Sequence, residues 1–220
     1  MTATRDLTIA VQDYLKVIYA LEAAGERVTT SAIAARMAVS APSATAMTKR
    51  LAELGLVERA PYKGVALTDE GRLGALEVLR HHRLLERYLA DRLGLTLDEV
   101  HAEADRLEHA LSEELEAKID AELGFPTHDP HGDPIPDREL RLDAERERTL
   151  ADLGPGERTS VSRVPDGDPD LLRYLTELGL VPGSDVEVVA LAPFAGPVTV
   201  RTEQGAHAIS RELADRIAAA

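Results

Sequence analysis

The amino-acid sequence predicts a mainly α-helical protein that ends in a small β module. Apolar residues recur at helical spacing through residues 7–124, where capping residues and glycines separate the helical segments. From residue 157 onward the pattern changes to the alternation that is typical of short strands. Between these parts, residues 125–156 are rich in proline, glycine and charge, which is typical of a linker.

The composition is that of a globular protein with an aliphatic core. Hydrophobic residues make up 44% of the 220 residues and aromatic residues only 3%, and there is no cysteine. The lack of cysteine excludes disulfides, zinc ribbons and thiol catalysis, and it fits a reducing cytoplasm. Residues 1–19 carry charges too often for a signal peptide, and no apolar run approaches a membrane span. We therefore expect a soluble, cytoplasmic protein with no membrane partner.

The net charge of −14 is unevenly distributed along the chain. Residues 1–67 contain eight Lys or Arg and six Asp or Glu, so the net negative charge lies entirely in residues 68–220. An acidic body with a mildly basic N-terminal module can still bind DNA, because only the docking surface has to attract phosphate.

Residues 1–68 predict a winged helix-turn-helix domain. Ser40 followed by Pro42 has the residue types of a helix start, and Gly55 has the residue type of a helix end. Three helices followed by a two-stranded hairpin are typical of this fold. The predicted elements are helices over 7–24, 30–38 and 41–54 and strands at 56–57 and 65–67.

The third of these helices would enter the major groove of DNA. Its N-terminal residues are small, with no Arg, Asn or Gln for a bidentate base contact, so we expect most of the affinity to come from phosphate contacts. The expected DNA-contacting residues are Arg27, Arg36, Ser40, Pro42, Ser43, Lys49, Arg50 and, in the wing, Tyr62 and Lys63. The alternative for this segment is a helical bundle or a protein-binding winged helix.

Residues 69–124 predict two helices that carry candidate metal ligands. Thr68 would cap a helix over about 69–92, and Thr96 with Glu99 forms a capping box for a helix over about 97–122. Imidazole and carboxylate groups bind divalent transition metals. The candidate ligands are His82 and Glu86 on the first helix and His101, Asp105, Glu108 and His109 on one face of the second.

Because these ligands lie on two helices, we expect two metal sites. One would join His82 and Glu86 to His101. The other would use Asp105, Glu108 and His109 with a further ligand, for which Asp13 on the first helix of the chain is a candidate. The alternative is a solvated, Glu-rich helix face. His128 and His131 lie among Pro and Gly, so we expect them to shape a turn.

Residues 157–220 predict an SH3-like barrel. Alternating residues indicate strands at 186–191 and 198–202, with turns at 182–183 and 196–197, and Leu171–Leu178 has the spacing of a helical turn.

The whole sequence resembles the diphtheria toxin repressor family of metal-dependent transcription regulators. The most specific segments are residues 13–19, 82–86, 100–109 and 131–136. The resemblance implies a DNA-binding domain at 1–68, a helical dimerisation and metal-binding domain at 69–124, a linker at 125–156 and an SH3-like domain at 157–220. It also implies a homodimer for which metal is the co-repressor.

The resemblance also implies the ligand sets. The primary, activating site falls on Asp13, Asp105, Glu108 and His109. The ancillary site falls on His82, Glu86 and His101, completed by Asp168 of the SH3-like domain, with Asp170 as a substitute. Leu171 stands where an iron-responsive relative offers an amide ligand.

The metal preference is predicted from two positions at which this chain differs from the iron-responsive members of the family. Those members place Met and Cys where this chain has Asp13 and Asp105, and hard carboxylate oxygens suit Mn²⁺ better than soft sulfur does. Lys16 stands where some manganese-responsive members use a Glu to hold a second ion. We therefore expect an Mn²⁺-dependent repressor that binds double-stranded operator DNA and controls metal-ion homeostasis. The alternatives are an Fe²⁺-responsive regulator, a two-metal carboxylate enzyme and a metal-binding scaffold.

Overall fold

A winged helix-turn-helix forms the N-terminal part of the chain, as the sequence predicts. In the computed structural model, the described residues are 7–60, 64–142 and 147–220. The first elements are α1 (Ile9–Ala23), α2 (Thr30–Arg36), α3 (Ala41–Glu53), β1 (Val57–Ala60) and β2 (Gly64–Leu67). The two strands pair antiparallel, with Ala60 opposite Gly64.

Local capping and one apolar core explain these helices. The Thr29 side chain accepts a hydrogen bond from the Ala32 backbone amide at 3.0 Å, and Ser40 accepts one from the Ser43 amide at 3.3 Å. Such caps satisfy amides that the first helical turn leaves without partners. The buried core includes Val11, Leu15, Ile18, Leu21, Ile33, Leu51, Leu56 and Val65. Burial of these side chains supplies most of the stability of the domain.

The long helix α4 (Asp69–Leu93) begins directly after the wing. The Thr68 hydroxyl accepts a hydrogen bond of 3.0 Å from the Gly71 amide. A Cβ atom added to Gly71 would lie only 1.9 Å from the carbonyl oxygen of Leu56. Glycine therefore allows the close approach of α4 to this segment.

The helix expected over 97–122 is in fact interrupted, and this prediction is wrong. The chain forms α5 (Leu97–Leu107), a 3-10 turn (Glu108–Ala110) and α6 (Glu113–Glu122). The carbonyl of Glu108 lies 3.1 Å from Nδ1 of His81, and the Ser112 side chain caps the restarted helix. A carbonyl at a helix end needs such a partner, which explains how the interruption is stabilised.

The C-terminal residues form the SH3-like module. Its elements are β3 (Arg148–Thr149), β4 (Arg158–Arg163), α7 (Pro169–Glu177), β5 (Asp185–Leu191), β6 (Val198–Thr202), β7 (Gly205–Ile209), α8 (Arg211–Ala214) and β8 (Ala218–Ala219), with a 3-10 turn at Leu150–Asp152. The six strands form one antiparallel sheet in the order β3-β8-β4-β5-β6-β7. Its own aliphatic core includes Leu150, Val161, Leu172, Leu175, Val188, Val200 and Ile217.

Two compact units divide the described residues. The first comprises residues up to 82 together with 108–111 and 136–142, and the second comprises 83–107, 112–135 and the residues after 142. Each unit carries its own cluster of candidate metal ligands. Among the described residues, no helix is long and apolar enough to cross a membrane.

Candidate metal centres and DNA-binding surface

In the first unit, Asp13, Glu108 and His109 form a cluster of candidate ligands. Helix α1 supplies Asp13, and the 3-10 turn supplies the other two residues. Nε2 of His109 lies 2.9 Å from Oδ1 of Asp13 and 3.4 Å from Oε1 of Glu108. One ligand atom of each residue lies within 4.8 Å of the others. We call this group the first cluster.

Gln12 orients the His109 ring. Nδ1 of His109 lies 2.6 Å from the Gln12 side-chain oxygen, and the Gln12 amide nitrogen donates to the carbonyl of Leu7 at 3.3 Å. Because that oxygen can only accept, Nδ1 carries the proton of this hydrogen bond. Nε2 is then the nitrogen that faces Asp13 and Glu108, which is the orientation a metal ligand needs.

Glu108 is the buried member of the first cluster, and two basic side chains contact it. Its side chain is 1% exposed. Nζ of Lys16 lies 2.7 Å from Oε1 and 2.9 Å from Oε2, and Nδ1 of His82 lies 2.5 Å from Oε2. Nδ1 of His82, which is a predicted ligand of the ancillary site, therefore faces Glu108.

The crowding of carboxylates in the first cluster has an electrostatic cost. Burial raises the pKa of Asp13 above its ordinary value and Glu108 raises it further, whereas His109 and Lys16 lower it. Two carboxylates and one imidazole that converge in this way form a set of hard oxygen and nitrogen donors. This donor set fits a divalent cation such as Mn²⁺ or Fe²⁺.

In the second unit, Glu86, Asp129 and His131 form a second cluster, and all three are buried. Nδ1 of His131 lies 3.7 Å from Oε2 of Glu86, and Nδ1 of His101 lies 3.0 Å from Oε1 of the same carboxylate. One ligand atom from each of Glu86, Asp129 and His131 lies within 4.8 Å of the others.

A tight turn after α6 builds half of this second cluster. Oδ1 of Asp129 accepts hydrogen bonds of 2.9 Å from the backbone amides of His131 and Asp133. Gly132 has a φ of +93°, and a Cβ atom there would lie 2.0 Å from the carbonyl oxygen of Ser162. The turn can therefore approach β4 only with glycine at this position.

The second cluster contains polar atoms that suit a cation. Within the described part of the chain, Oδ2 of Asp129 and Nδ1 of His131 are buried and make no hydrogen bond. Burial, Glu86 and Asp133 raise the pKa of Asp129 to about 8. Burial would lower the pKa of His131, but Glu86, the Leu97 carbonyl and Asp129 outweigh it and raise this pKa to about 9. Two buried carboxylates beside an imidazole again fit a divalent cation.

Asp105 and Asp168, two further predicted ligands, belong to the second unit. Asp105 is exposed on α5, where its Oδ2 lies 3.7 Å from Nε2 of His101. Asp168 is exposed, and its side chain caps α7 by accepting from the amides of Asp170 and Leu171 at 3.0 and 3.3 Å. The carboxylate of Asp168 is therefore engaged in a helix cap, and Leu171 packs against the apolar core of the module.

The expected DNA-contacting residues that the structure describes are all exposed. Ser40 caps that helix, and its hydroxyl oxygen lies 2.8 Å from that of Ser43. Nζ of Lys49 lies 3.6 Å from Oε1 of Glu53. The exposed residues of this set are Arg27, Arg36, Ser40, Pro42, Ser43, Lys49 and Arg50. Tyr62 and Lys63 lie outside the described residues.

The fold and the two clusters define a class: winged helix-turn-helix proteins with ligand sets for divalent cations. Comparison with known families agrees. Residues 6–65 match the iron dependent repressor N-terminal DNA binding domain, residues 68–137 match the iron dependent repressor metal binding and dimerisation domain, and residues 148–219 match the FeoA domain. The chain therefore belongs to the diphtheria toxin repressor family. It is a divalent-metal-dependent transcriptional repressor and not an enzyme.

Individual relatives support the same conclusion. The iron-dependent repressor IdeR of Mycobacterium leprae is 33% identical over 94% of this chain and 98% of its own length. A diphtheria toxin repressor of Corynebacterium efficiens is 34% identical over 84% of this chain and 85% of its own length. A solved manganese-dependent transcriptional repressor in complex with manganese is 41% identical, with a TM-score of 0.86, and the match covers 95% of this chain and 98% of that one.

Three side chains at the clusters are not among the predicted ligands. Gln12 carries no metal-binding signal, so only its contact with His109 reveals its role. Asp129 and His131 alternate with Pro130 and precede Gly132, which is a typical turn pattern. The spacing of Asp129, His131 and Asp133 at alternate positions was the one signal that could have marked a ligand loop.

Proposed function

We propose that this chain is an Mn²⁺-activated repressor that binds double-stranded operator DNA as a homodimer and controls metal-ion homeostasis. The observation that carries the proposal is the first cluster, in which Asp13 of α1 lies 2.9 Å from His109. Its ligands are carboxylates and an imidazole, and the chain contains no cysteine that could add a thiolate. Hard donors of this kind suit Mn²⁺.

The first cluster connects metal binding to the DNA-binding helices. Asp13 lies on α1, whose Leu15 and Ile18 share an apolar core with Ile33 of α2 and Leu51 of α3. A bound divalent cation would supply the positive charge that keeps Asp13 and Glu108 together. Asp13 and His109 then hold α1 against the 3-10 turn, and α1 holds α3 through the core. In a dimer, the two recognition helices would be held about 34 Å apart, one turn of DNA.

We propose the second cluster as the ancillary site, with Glu86, Asp129 and His131 as ligands and His101 beside Glu86. The buried atoms of Asp129 and His131 support this assignment over Asp168, whose carboxylate caps α7. His82, through its contact with Glu108, then belongs with the first cluster. Asp105 stays a proposed ligand of the primary site from the family resemblance.

Binding of DNA under metal control tests the proposal. An operator would first be selected from random duplexes in the presence of Mn²⁺, and retention would then be measured against free Mn²⁺ and free Fe²⁺. We expect Asp13→Asn to abolish Mn²⁺-dependent retention while the protein stays folded and dimeric. Asp91→Asn is the matched control, because both aspartate side chains are 35% exposed but Asp91 pairs with Arg87 of its own helix.

An Fe²⁺-responsive regulator is the second candidate, and the identity to IdeR of Mycobacterium leprae favours it. The same titration separates the two candidates. Retention at lower free Fe²⁺ than free Mn²⁺ by a wide margin, with cellular repression that follows iron, would contradict the manganese proposal. Retention that does not depend on any metal would contradict both.

A further inference from the structure

Lys16 contacts both carboxylate oxygens of Glu108, a ligand of the first cluster. We infer that Lys16 is a built-in counter-cation that competes with the metal ion for Glu108 and so sets the metal concentration at which the repressor responds. This inference rests on the proposed function, because it assigns a role to a side chain at the proposed activating site.

The geometry places Lys16 across both oxygens of Glu108. Nζ lies 2.7 Å from Oε1 and 2.9 Å from Oε2, while the side chains of Lys16 and Glu108 are 22% and 1% exposed. Lys16 follows Asp13 by three residues on α1, so both side chains emerge on the same side of that helix. One helix thus presents both a ligand and a cation to the same cluster.

A buried carboxylate needs a positive partner. The Glu108 side chain is almost completely excluded from water, and an uncompensated charge there would be costly. His82 contacts Oε2 at 2.5 Å, but an imidazole is charged only when it is protonated, whereas Lys16 places an amino group against both oxygens. Lys16 therefore stabilises the metal-free chain.

The same contact opposes metal binding. An ion beside Asp13 and His109 would share the negative charge of Glu108 with Lys16, because the ammonium group already contacts both carboxylate oxygens. The positive charge of Lys16 would then lie close to the cation and repel it. The affinity of the first cluster for metal is then lower than it would be without Lys16. Operator binding therefore begins at a higher free metal concentration.

Replacing Lys16 by an uncharged side chain of similar length tests this inference. We expect Lys16→Met to lower the Mn²⁺ dissociation constant of the first cluster by about tenfold or more, because like charges repel strongly in a partly buried site. Lys16→Arg, which keeps the charge, should stay near the wild type. Lys118→Met is the matched control, since it removes the same charge from an exposed pair with Glu114.

Mn²⁺ binding is measured directly by calorimetric titration. The binding step that is present in the wild type and absent in Asp13→Asn is assigned to the first cluster. Unchanged or weaker Mn²⁺ binding by folded Lys16→Met would overturn the inference. If Lys16→Met does not fold without metal, recovery of the fold on addition of Mn²⁺ supports the inference, and failure to recover overturns it.

Operator retention is measured on the same samples so that the two proposals can fail separately. Tighter Mn²⁺ binding by Lys16→Met without any metal-dependent retention would leave the counter-cation role standing and contradict the proposed repressor mechanism. Metal-dependent retention by the wild type, together with an unchanged Mn²⁺ affinity of Lys16→Met, would support the repressor mechanism and contradict the counter-cation role. A wild type that binds no metal at the first cluster would overturn both.

Discussion

The side-chain oxygen of Gln12 accepts a hydrogen bond from Nδ1 of His109, with 2.6 Å between the two atoms. The contact connects α1 to the 3-10 turn and leaves Nε2 of His109 facing Asp13 at 2.9 Å. Gln12 is therefore a positioning residue for the first cluster. Hydrogen-bond partners of this kind orient ligating histidines in metalloproteins.

Loss of this hydrogen bond should weaken metal binding. We predict that Gln12→Leu raises the Mn²⁺ dissociation constant of the first cluster by roughly 10–100-fold, the usual effect of removing such a partner. Calorimetric titration measures this change. Gln12→Glu, which can still accept a hydrogen bond from Nδ1, should retain most of the affinity. Gln204→Leu, on an exposed turn, controls for the same substitution away from the cluster. Equal affinity of Gln12→Leu and the wild type would show that the hydrogen bond has no positioning role.

The second cluster should bind its own equivalent of metal. His131 is completely buried beside Glu86, whereas His128, three residues earlier, is exposed and contacts only the Thr127 hydroxyl among the bonds described for its ring. We predict that His131→Ala reduces the metal content from two equivalents per chain to one and that His128→Ala leaves it unchanged. Elemental analysis after equilibrium dialysis against Mn²⁺ measures both. An unchanged content in His131→Ala would remove this cluster from the proposal.

Arg50 tests the proposed DNA-binding surface. It lies exposed in the last turn of α3, and no base-specific role is expected for it. Arg50→Ala should weaken binding to all duplexes alike and reduce the slope of log K against log[salt] by about 1, because one phosphate contact is lost. Lys118→Ala on α6 is the control for loss of one positive charge. A loss confined to one sequence would instead indicate direct base recognition by Arg50.

The sequence predicts the winged helix-turn-helix well because its signals are local. Ser40 and Thr68 are N-caps, Gly55 follows α3, and each of these predictions depends on residues a few positions away. The convergence of Asp13 with His109 was also predictable, since a carboxylate on an apolar helix face suggests a buried partner.

Other features depend on contacts distant in sequence and could not be predicted. Residues 97–122 have continuous helical periodicity, and the interruption at Glu108 involves the His81 ring of another helix. His131 has the neighbours of a turn residue, and its burial depends on the fit of Gly132 against Ser162. For residues 97–122 the local sequence is consistent with the wrong structure, whereas for His131 it is consistent with the observed turn but gives no sign of the burial.

The preference for Mn²⁺ over Fe²⁺ is expected to depend on Asp13 and Asp105. The resemblance to iron-responsive repressors implies sulfur ligands, Met and Cys, at these two positions, where this chain offers oxygen. Oxygen donors bind Mn²⁺ without favouring the softer ions that otherwise bind more tightly, so selectivity depends on ligand type and on metal supply. Replacing both aspartates by the sulfur-containing side chains should therefore change which ion activates the repressor.

We predict that Asp13→Met combined with Asp105→Cys shifts activation from Mn²⁺ toward Fe²⁺ or Co²⁺, with dimerisation unchanged. The measurement is anaerobic titration of operator binding with each ion, with the wild type, the two single variants and the double variant side by side. Asp91→Met controls for a methionine introduced elsewhere, since Asp91 contacts only Arg87 among the pairs described for it. The same order of ions in the wild type and the double variant would show that these carboxylates do not set the preference. A wild type that responds to Fe²⁺ far below the Mn²⁺ threshold would establish the iron alternative.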